Sequence, residues 1–188
     1  MPLPPADSPT DAERESVVAR LAAALRVVPD FPRPGILFRD ITTLVGDPVL
    51  FHEAVDELAN ACRPGPVDTI AGIEARGFLL GGALAYVLGA GFVPVRKQGR
   101  LPAAVESIAY SLEYGEAILE MHTDALSAGH RVIIVDDLLA TGGTASATVD
   151  LVERMGATVS RLVFLVELSG LGGADRLGGR PHTSIITL

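Results

Sequence analysis

The segment best suited to chemistry joins two adjacent acids to a loop of small residues. Residues 131–135 predict a buried strand, Asp136 and Asp137 follow it, and residues 144–155 predict a helix. Between them lies the loop Ala140-Thr141-Gly142-Gly143-Thr144, which we expect to be exposed. Its backbone N–H groups are accessible at a helix N-terminus and its threonines add hydroxyls, so the loop predicts an anion site. The chain has neither the Gly-Lys-Ser/Thr ending of a triphosphate loop nor a G-x-G-x-x-G motif, which favours a monophosphate ester.

The two acids narrow the choice of ligand. Carboxylates repel a phosphate, but they accept hydrogen bonds from a ribose diol, or stabilise a cation or the water shell of a metal ion. A phosphate-binding loop and carboxylates that accept from a diol, separated by about the length of one sugar, together predict a ribose 5-phosphate site. In the alternative interpretation Asp136 caps the turn and the glycines only end the strand. The occurrence of both acids together with the T-G-G-T loop favours the ligand site.

This segment resembles the motif with which type I phosphoribosyltransferases bind 5-phosphoribosyl-1-diphosphate (PRPP). Other segments are similar to the adenine-specific members of that family and follow in the expected order: residues 31–41, 74–78, 96–102 and 110–115. The wording D-D-L-L-A-T-G-G-T and F-P-x-P-G-x-x-F-R-D points to the adenine-specific members. The resemblance implies transfer of 5-phosphoribosyl from PRPP to adenine, giving AMP and pyrophosphate in purine salvage.

The resemblance also implies which residues bind PRPP. The 5-phosphate lies on the loop 140–144, and Asp136 and Asp137 bind the ribose hydroxyls as part of the catalytic set. The pyrophosphate is surrounded by cations, some of them reaching across a dimer interface: Arg76, Arg96, Lys97 and Arg100. A lysine is common in the family where this chain has Arg100, and a guanidinium binds oxygens as a fork. Mg²⁺ is the expected cofactor, held mainly by substrate oxygens with no direct protein ligand.

For the base, the resemblance implies main-chain contacts and one catalytic acid. Main-chain groups of Leu37 and Arg39 face the edge of adenine. Phe38, by its place in a proline-bounded segment, is our candidate for stacking on the base, with Leu168 as an apolar cover from the far strand. The carboxyl of Glu113 hydrogen-bonds N7 of adenine, and Tyr114 closes the pocket as part of a lid. Without the resemblance, Phe38 would be an ordinary core aromatic and Glu113 a solvated carboxylate at a hairpin end.

The elements that must position these residues follow from periodicity and capping signals. Thr10 and Glu13 form a capping box that predicts a helix to about Arg26, and residues 28–35 predict an extended loop. Asp47 and Pro48 begin a second helix. Further along, helices are predicted over 77–88 and 144–155, a polar loop over 96–105, an antiparallel hairpin over 107–112 and 116–122, and buried strands over 69–73, 92–95, 131–135, 158–166 and 184–188.

This alternation predicts an α/β fold with a central parallel sheet flanked by helices and a projecting hairpin that serves as the lid. It is the fold that the family resemblance implies. We expect a flexible tail over 1–10 and a single domain over 11–188. Within that domain we expect a base-binding hood at about 11–45, a core at about 46–168 and a C-terminal segment over 169–188 with no assigned chemistry.

Composition excludes several classes of protein. Of the 188 residues 48% are hydrophobic, and this content excludes intrinsic disorder. The net charge of −8 repels phosphate backbones and argues against nucleic-acid binding. The uncharged run 77–95 contains five glycines and Pro94, so we interpret it as a helix followed by a strand and expect a soluble protein without a membrane partner. Cys62 is the single cysteine, which favours a cytoplasmic location.

Two alternative functions are compatible with the PRPP motif. One is a phosphoribosyltransferase for another purine base, and the other is a regulator that senses PRPP without catalysis. A regulator of that kind needs a basic surface or an appended basic domain, and the net charge of −8 argues against it. We therefore expect a homodimeric enzyme with the small-molecule substrates adenine and PRPP.

Overall fold

Two compact units make up the chain, one ending at Ala54 and the other spanning Val55–Leu188. The computed structural model describes residues 10–63, 65–112 and 115–188. Apart from Thr10, the predicted flexible tail lies outside the described residues. The predicted boundaries of the hood, the core and the C-terminal segment stay predictions.

The first unit contains short elements whose ends are fixed by capping groups. The elements are α1 (Asp11–Ala24), β1 (Arg26–Pro29), β2 (Leu37–Asp40), α2 (Thr42–Val45) and the start of α3 (Pro48–Ala61). The predicted capping box is present, since Thr10 N–H donates to Glu13 Oε2 over 2.8 Å and Glu13 N–H donates to Thr10 Oγ1 over 3.3 Å. Asp47 Oδ1 caps α3 by accepting from the backbone N–H groups of Val49 and Leu50.

Two predictions in the first unit need correction. Helix α1 ends at Ala24, two residues before the predicted end, and Arg26 already belongs to β1. The predicted loop over 28–35 also begins as strand, because β1 pairs antiparallel with β2 and the pair supplies the backbone hydrogen bonds that a loop would lack. Strands of four residues are too short to show a periodic pattern in the sequence.

The second unit is built on a sheet of seven strands. Its elements are β3 (Thr69–Ile73), α4 (Gly77–Leu88), β4 (Gly91–Lys97), β5 (Val105–Leu112), β6 (Gly115–His122), β7 (Arg131–Leu139), α5 (Gly143–Arg154), β8 (Thr158–Glu167), a 3₁₀ turn (Ser169–Leu171), α6 (Gly173–Arg176) and β9 (His182–Thr187). The strand order is β5-β6-β4-β3-β7-β8-β9. The five strands from β4 to β9 are parallel, and β6 joins β4 antiparallel at only two residue pairs. The predicted α/β class, parallel sheet and hairpin are confirmed.

Glycines allow α4 to pack closely on β3. A Cβ at Gly81 on α4 would lie 3.4 Å from Cα of Gly72 on β3, and a Cβ at Gly72 would lie 3.1 Å from the carbonyl oxygen of Gly77, the first residue of α4. The uncharged run 77–95 is therefore a helix followed by a strand, as predicted. Among the residues that the structure describes, no helix is long and apolar enough to cross a membrane.

Strand β7 extends further than predicted. The sequence places the end of the strand at Val135, but the structure continues it to Leu139, so that Asp136 and Asp137 lie within it. The reason is the neighbouring strand: β8 pairs with β7 as far as Leu139↔Glu167, whereas β3 pairs only as far as Gly72↔Val135. The acids therefore begin where β7 loses one of its two neighbours.

Candidate active site

The predicted PRPP-binding residues of the second unit lie at one edge of its sheet. Strands β4, β3, β7 and β8 are adjacent and parallel, so their carboxyl ends face the same side. The chain leaves β3 through α4 toward β4, and leaves β7 through α5 toward β8 on the other side. The crevice between the ends of β3 and β7, where these directions diverge, is where open α/β sheets bind ligands.

The loop after β7 surrounds a cavity of about 330 Å³, part of which is open to solvent. Gly142 precedes α5 in the left-handed conformation, with φ of 75°, and the structure shows no side-chain hydrogen bond capping this helix. The first N–H groups of a helix have no acceptor within it and carry partial positive charge. The cavity therefore suits an anion, and it is lined by Asp136, Leu138, Leu139, Ala140, Thr141, Gly142, Gly143, Thr144 and Ala145.

The loop is less exposed than predicted. Thr141 is exposed, but Gly142 and Gly143 are buried. A Cβ at Gly142 would lie 2.6 Å from the carbonyl oxygen of Gly173, so the start of α6 covers the loop from outside. The sequence offered no signal for this contact, because Gly173 lies about thirty residues away in a segment to which we assigned no chemistry.

Thr144 connects the loop to the hairpin. Its hydroxyl donates a hydrogen bond over 3.4 Å to the phenol oxygen of Tyr110 on β5, and its carbonyl accepts one over 2.9 Å from Thr148. Tyr110 belongs to the family-like segment 110–115, together with Glu113 and Tyr114, but we could not assign it a role from the sequence. Glu113 and Tyr114 lie outside the described residues.

Asp137 is ion-paired with a residue from the neighbouring strand end. Its Oδ2 accepts from Nε of Arg76, which lies between β3 and α4. The Asp137 side chain is 5% exposed and that of Arg76 is 39% exposed, so the pair reaches from the buried strand toward the crevice. The structure thus brings together two residues that the sequence placed, respectively, at the ribose and at the pyrophosphate.

Asp136 has a different environment. Burial and the adjacent charge of Asp137 raise the pKa of Asp136 well above its ordinary value, although Arg76 opposes the shift. One Asp136 oxygen accepts the backbone N–H of Asp137 over 2.8 Å. Helix α4 begins directly against this carboxyl, since a Cβ at Gly77 would lie 2.9 Å from Asp136 Oδ1. The protonated form of Asp136 is thereby favoured, so the two adjacent acids are not equivalent.

Glu74 organises the cationic residues at the carboxyl end of β4. Its Oε2 accepts from Nε of Arg96 and from the backbone N–H of Lys97, both over 3.1 Å. Burial alone would raise the pKa of Glu74, but these hydrogen bonds outweigh it and the net shift is downward. Arg96 also lies 5.9 Å from the centre of the Phe78 ring. Glu74 has no role in the sequence-based predictions above, although its position two residues before Arg76 was a signal that could have identified it.

The rest of this cationic loop is anchored from β6. Arg96 donates from Nη1 to the carbonyl of Arg100 over 2.9 Å, and the backbone N–H of Gly99 donates to Glu120 Oε2 over 2.9 Å. Glu120 is only 6% exposed. Lys97 and Arg100 have exposed side chains. Two acids, Glu74 and Glu120, therefore hold the backbone of a loop that presents cations to solvent.

The residues predicted to contact adenine lie in separate elements. Leu37, Phe38 and Arg39 are on β2, whose only partner in the described part of the chain is β1. The ring centre of Phe38 is 5.1 Å from that of Phe31, in an edge-to-face contact. Leu168 lies one residue beyond β8, rather than on the far strand as predicted, and its N–H donates to the carbonyl of Leu139 over 2.9 Å.

Comparison with known proteins gives consistent matches to one family. The sequence profile of the phosphoribosyl transferase domain matches residues 51–178. The adenine phosphoribosyltransferase of Chelativorans sp. is 55% identical over 164 residues, covering 87% of this chain and 91% of that protein. That of Synechococcus sp. is 53% identical over 167 residues, covering 89% and 98%.

Solved structures agree with this result. The crystal structure of adenine phosphoribosyltransferase from Rhodothermus marinus has a TM-score of 0.90 and 48% identity, covering 93% of this chain and 99% of that chain. The enzyme from Saccharomyces cerevisiae, complexed with D-2,5-dideoxy-2,5-imino-altritol 1,6-bisphosphate and adenine, has a TM-score of 0.85 and 41% identity, covering 91% and 99%. With more than four fifths of its length aligned to such relatives, the chain belongs to the adenine phosphoribosyltransferase family.

Proposed function

We propose that this chain transfers the 5-phosphoribosyl group of PRPP to adenine, releasing pyrophosphate and forming AMP in cytoplasmic purine salvage. The observation that carries the proposal is the arrangement at the carboxyl edge of the sheet. There an uncapped helix N-terminus, a pair of acids and a group of cations lie at or just beyond the carboxyl ends of neighbouring strands. The yeast relative, whose structure holds adenine and a sugar bisphosphate analogue, supports the same assignment of substrates.

The loop 140–144 holds the 5-phosphate through the N–H groups that begin α5. The ribose hydroxyls then donate to the acids of β7, with Asp137 as the acceptor that Arg76 already orients. The bond between C1′ and the pyrophosphate oxygen breaks while the N9 lone pair forms the new bond, so positive charge develops on the ribose. Adenine reacts as the tautomer that carries its ring proton on N7, and this proton passes to Glu113 as N9 attacks. The positive charge makes ionisation of Asp136 easier; its proton passes to solvent water, and the resulting carboxylate stabilises the transition state.

The leaving pyrophosphate needs positive charge. We assign this role to Arg76, Arg96, Lys97 and Arg100, because all four lie at the carboxyl end of β3 or β4 or just beyond it, at the same edge of the sheet. Glu74 keeps Arg96 in place and Glu120 keeps the loop backbone in place, which leaves the exposed Lys97 and Arg100 to bind phosphate oxygens. A preformed loop of this kind binds the leaving group without the cost of ordering it.

Mg²⁺ fits this site as an ion carried by the substrate. The described residues contain no group of three or more His, Cys, Asp or Glu side chains that could hold a metal. Of the two acids at the site, Asp137 is paired with Arg76 and burial favours the protonated form of Asp136. Few protein ligands suit Mg²⁺, which keeps waters and phosphate oxygens, and these two acids would contact its water shell. When bound, the ion neutralises charge on the pyrophosphate.

For adenine we propose recognition by main-chain groups of β2. In a strand with a single partner, residues two apart direct their N–H and C=O groups to the same edge, so Leu37 and Arg39 present theirs together. A carbonyl that accepts from the 6-amino group and an N–H that donates to N1 would mismatch a 6-oxopurine. Phe38 stacks on the base, Leu168 covers it, Glu113 hydrogen-bonds N7, and Tyr114 closes the lid.

We also propose that two copies of the chain associate through α4. This helix contains no charged residue, and three of its large apolar residues are exposed: Leu79, Tyr86 and Val87. Tyr86 is 90% exposed. An uncharged helical face of this kind favours burial against a second copy of itself over contact with water.

Incubation of the protein with PRPP, Mg²⁺ and one base at a time tests the proposal. We expect AMP and pyrophosphate from adenine, with much slower turnover of guanine, hypoxanthine and xanthine. The absence of turnover with every base would refute the enzymatic function and favour a PRPP sensor. A preference for a 6-oxopurine would refute the adenine assignment alone.

A further inference from the structure

The phosphate loop and the start of α6 approach each other more closely than side chains would allow. A Cβ at Gly142 would lie 2.6 Å from the Gly173 carbonyl oxygen and 3.1 Å from Cβ of Arg176. A Cβ at Gly173 would lie 2.3 Å from the Ala140 carbonyl oxygen. Real Cβ atoms do not occupy such positions. This contact therefore requires glycine both at residue 142 in the loop and at residue 173 at the start of α6.

Further contacts hold this part of the C-terminal segment against the loop. The N–H of Leu168 donates to the carbonyl of Leu139, the last residue of β7, over 2.9 Å. Leu177, directly after α6, is 1% exposed and belongs to the core cluster that includes Leu139 and Ala145. The loop is therefore held at both ends by its own strand and helix, and on its outer side by residues 168–177.

We propose that Gly173 is a positioning residue for the phosphate loop, and that its close contact with the Ala140 carbonyl sets the direction of the loop's N–H groups toward the 5-phosphate. The inference rests on the proposed function, since it takes the loop as the 5-phosphate site of PRPP. Any side chain at residue 173 pushes against the Ala140 carbonyl and displaces the peptide groups that follow it. Gly173 itself does not contact the phosphate.

The size of the effect follows from the hydrogen bonds at stake. Loss or misalignment of one charge-assisted N–H bond to a phosphate weakens binding by about ten- to hundredfold. The phosphate is bound in both the ground state and the transition state, so the loss raises the KM for PRPP and leaves kcat nearly unchanged. Substitution of a residue that only stabilised the fold would lower the melting temperature, and it would not raise the KM for PRPP selectively while leaving kcat unchanged.

The test compares Gly173→Ala with Gly170→Ala. Gly170 lies three residues earlier in the same segment, and a Cβ there would have no atom within 4 Å. We expect Gly173→Ala to raise the KM for PRPP and the Kd for AMP by about tenfold or more, with kcat and the KM for adenine within about twofold of wild type. Gly170→Ala should match wild type in all four constants.

Three outcomes overturn the inference. In the first, Gly173→Ala binds PRPP and AMP as wild type does. In the second, Gly170→Ala loses as much affinity as Gly173→Ala, which would indicate general disturbance of the segment. In the third, Arg176→Ala, which keeps the Cβ that packs on Gly142, loses as much affinity, which would assign the effect to the guanidinium. Failure of the wild type to bind either ligand would instead refute the proposed function.

A second pair of variants applies where Gly173→Ala does not fold. A Cβ at residue 173 would also meet Leu139 Cγ at 2.9 Å, so Leu139→Ala/Gly173→Ala removes the side-chain clash and keeps the clash with the Ala140 carbonyl. Relative to Leu139→Ala alone, the double variant should retain the tenfold or greater loss in AMP affinity. Equal affinity of the two variants would show that crowding of Leu139 caused the effect, and would overturn the inference.

Discussion

Asp136 and Asp137 are adjacent in the chain, but they have different partners. Asp137 is paired with Arg76, whereas Asp136 accepts a backbone N–H and lies against the first residue of α4. Burial and the charge of Asp137 favour the protonated form of Asp136. One acid is thus held by an ion pair, whereas the other lacks such a pair with a cation, and in the proposed reaction it would gain charge as positive charge develops on the ribose.

Replacement of Asp136 by Asn tests two properties of this residue: the stability that the fold loses when its buried carboxyl ionises, and its role in turnover. Because the pKa of Asp136 is raised in the folded state, wild type loses stability as pH rises from the unfolded value, about 4, toward the folded value. Asp136→Asn removes this loss, so the ligand-free variant should melt above wild type at pH 8 and close to it at pH 4. Its turnover should fall. Thermal melting across this pH range, together with initial rates, measures both effects.

The same measurements on Asp137→Asn provide the contrast. This substitution breaks the ion pair with Arg76 at a side chain that is 5% exposed, so it should lower the melting temperature at pH 7 as well as turnover. Parallel melting curves for wild type and Asp136→Asn from pH 4 to pH 8 would contradict a raised pKa for Asp136. An Asp136→Asn variant with normal turnover would leave that residue a structural role only.

Glu113 is the residue whose proposed role depends most on chemistry. As the carboxyl that hydrogen-bonds N7 of adenine, it favours the reactive tautomer while N9 attacks. Glu113→Gln and Glu113→Leu should lose turnover by about 10²–10⁴-fold, and PRPP affinity should be nearly intact because the proposed contact of Glu113 is with the base. Single-turnover kinetics and PRPP binding measure the two quantities.

Glu116, which is exposed on β6, supplies the matched control, and Glu116→Gln should behave as wild type. A Glu113→Leu variant with near-normal turnover of adenine would remove the catalytic role. In that case the segment would act only as a lid that excludes water.

At the scale of elements, what could be predicted depends on whether the signal is local. Strand β3 and helix α4 have the predicted bounds, because an uninterrupted apolar run and a glycine stop are visible in the sequence. Strands β1 and β2 were missed because they form a largely exposed ribbon, in which Val27 is 45% and Leu37 55% exposed. The end of β7 was wrong because its hydrogen-bonding partner, β8, follows about twenty residues later.

The anchors of the cationic loop were missed for the same reason. In the sequence Glu120 is one polar residue in a predicted hairpin strand, and nothing near it indicates a partner. The register of β4 with β6 sets it opposite Arg96, and its carboxylate then accepts the N–H of Gly99. Such a role follows from strand pairing between distant segments, so residue types and local spacing could not reveal it.

This anchor can be tested by removing and then restoring the acceptor. Glu120→Ala leaves the Gly99 N–H without its partner and loosens the loop that carries Lys97 and Arg100, so the KM for PRPP should rise about tenfold. Glu120→Gln keeps an acceptor oxygen of the same reach and should restore most of the affinity. The steady-state KM for PRPP of both variants decides the case. Equal weakening by Gln and Ala would mean that the charge of Glu120, and not its hydrogen bond, supports the site.

At the scale of the whole molecule, composition and family motifs predicted more than local patterns did. Although the net charge is −8, cations are concentrated at the site. Arg76, after β3, is held by Asp137, and Arg96, at the end of β4, is held by Glu74. The covering of the phosphate loop by α6 involves residues far apart in the chain, and the glycine-rich C-terminal segment gave no periodic signal for it. The residues to which we could assign no role from the sequence therefore act through contacts between distant segments.

The exposed face of α4 makes a prediction about assembly. Tyr86 is 90% exposed on a helix without charged residues, so a second copy that covers it would bury a large apolar area. Tyr86→Glu places a charge at that position and should convert a dimer to monomer, because burying an unpaired carboxylate costs more than the contact gains.

Val49→Glu is the matched control, since Val49 is a 63% exposed apolar residue of another helix. Sedimentation velocity over a range of protein concentrations should show dimers for wild type and Val49→Glu and monomers for Tyr86→Glu, with unchanged melting of the monomer fold. Dimeric Tyr86→Glu would show that the interface lies elsewhere, and monomeric wild type would refute the proposed association.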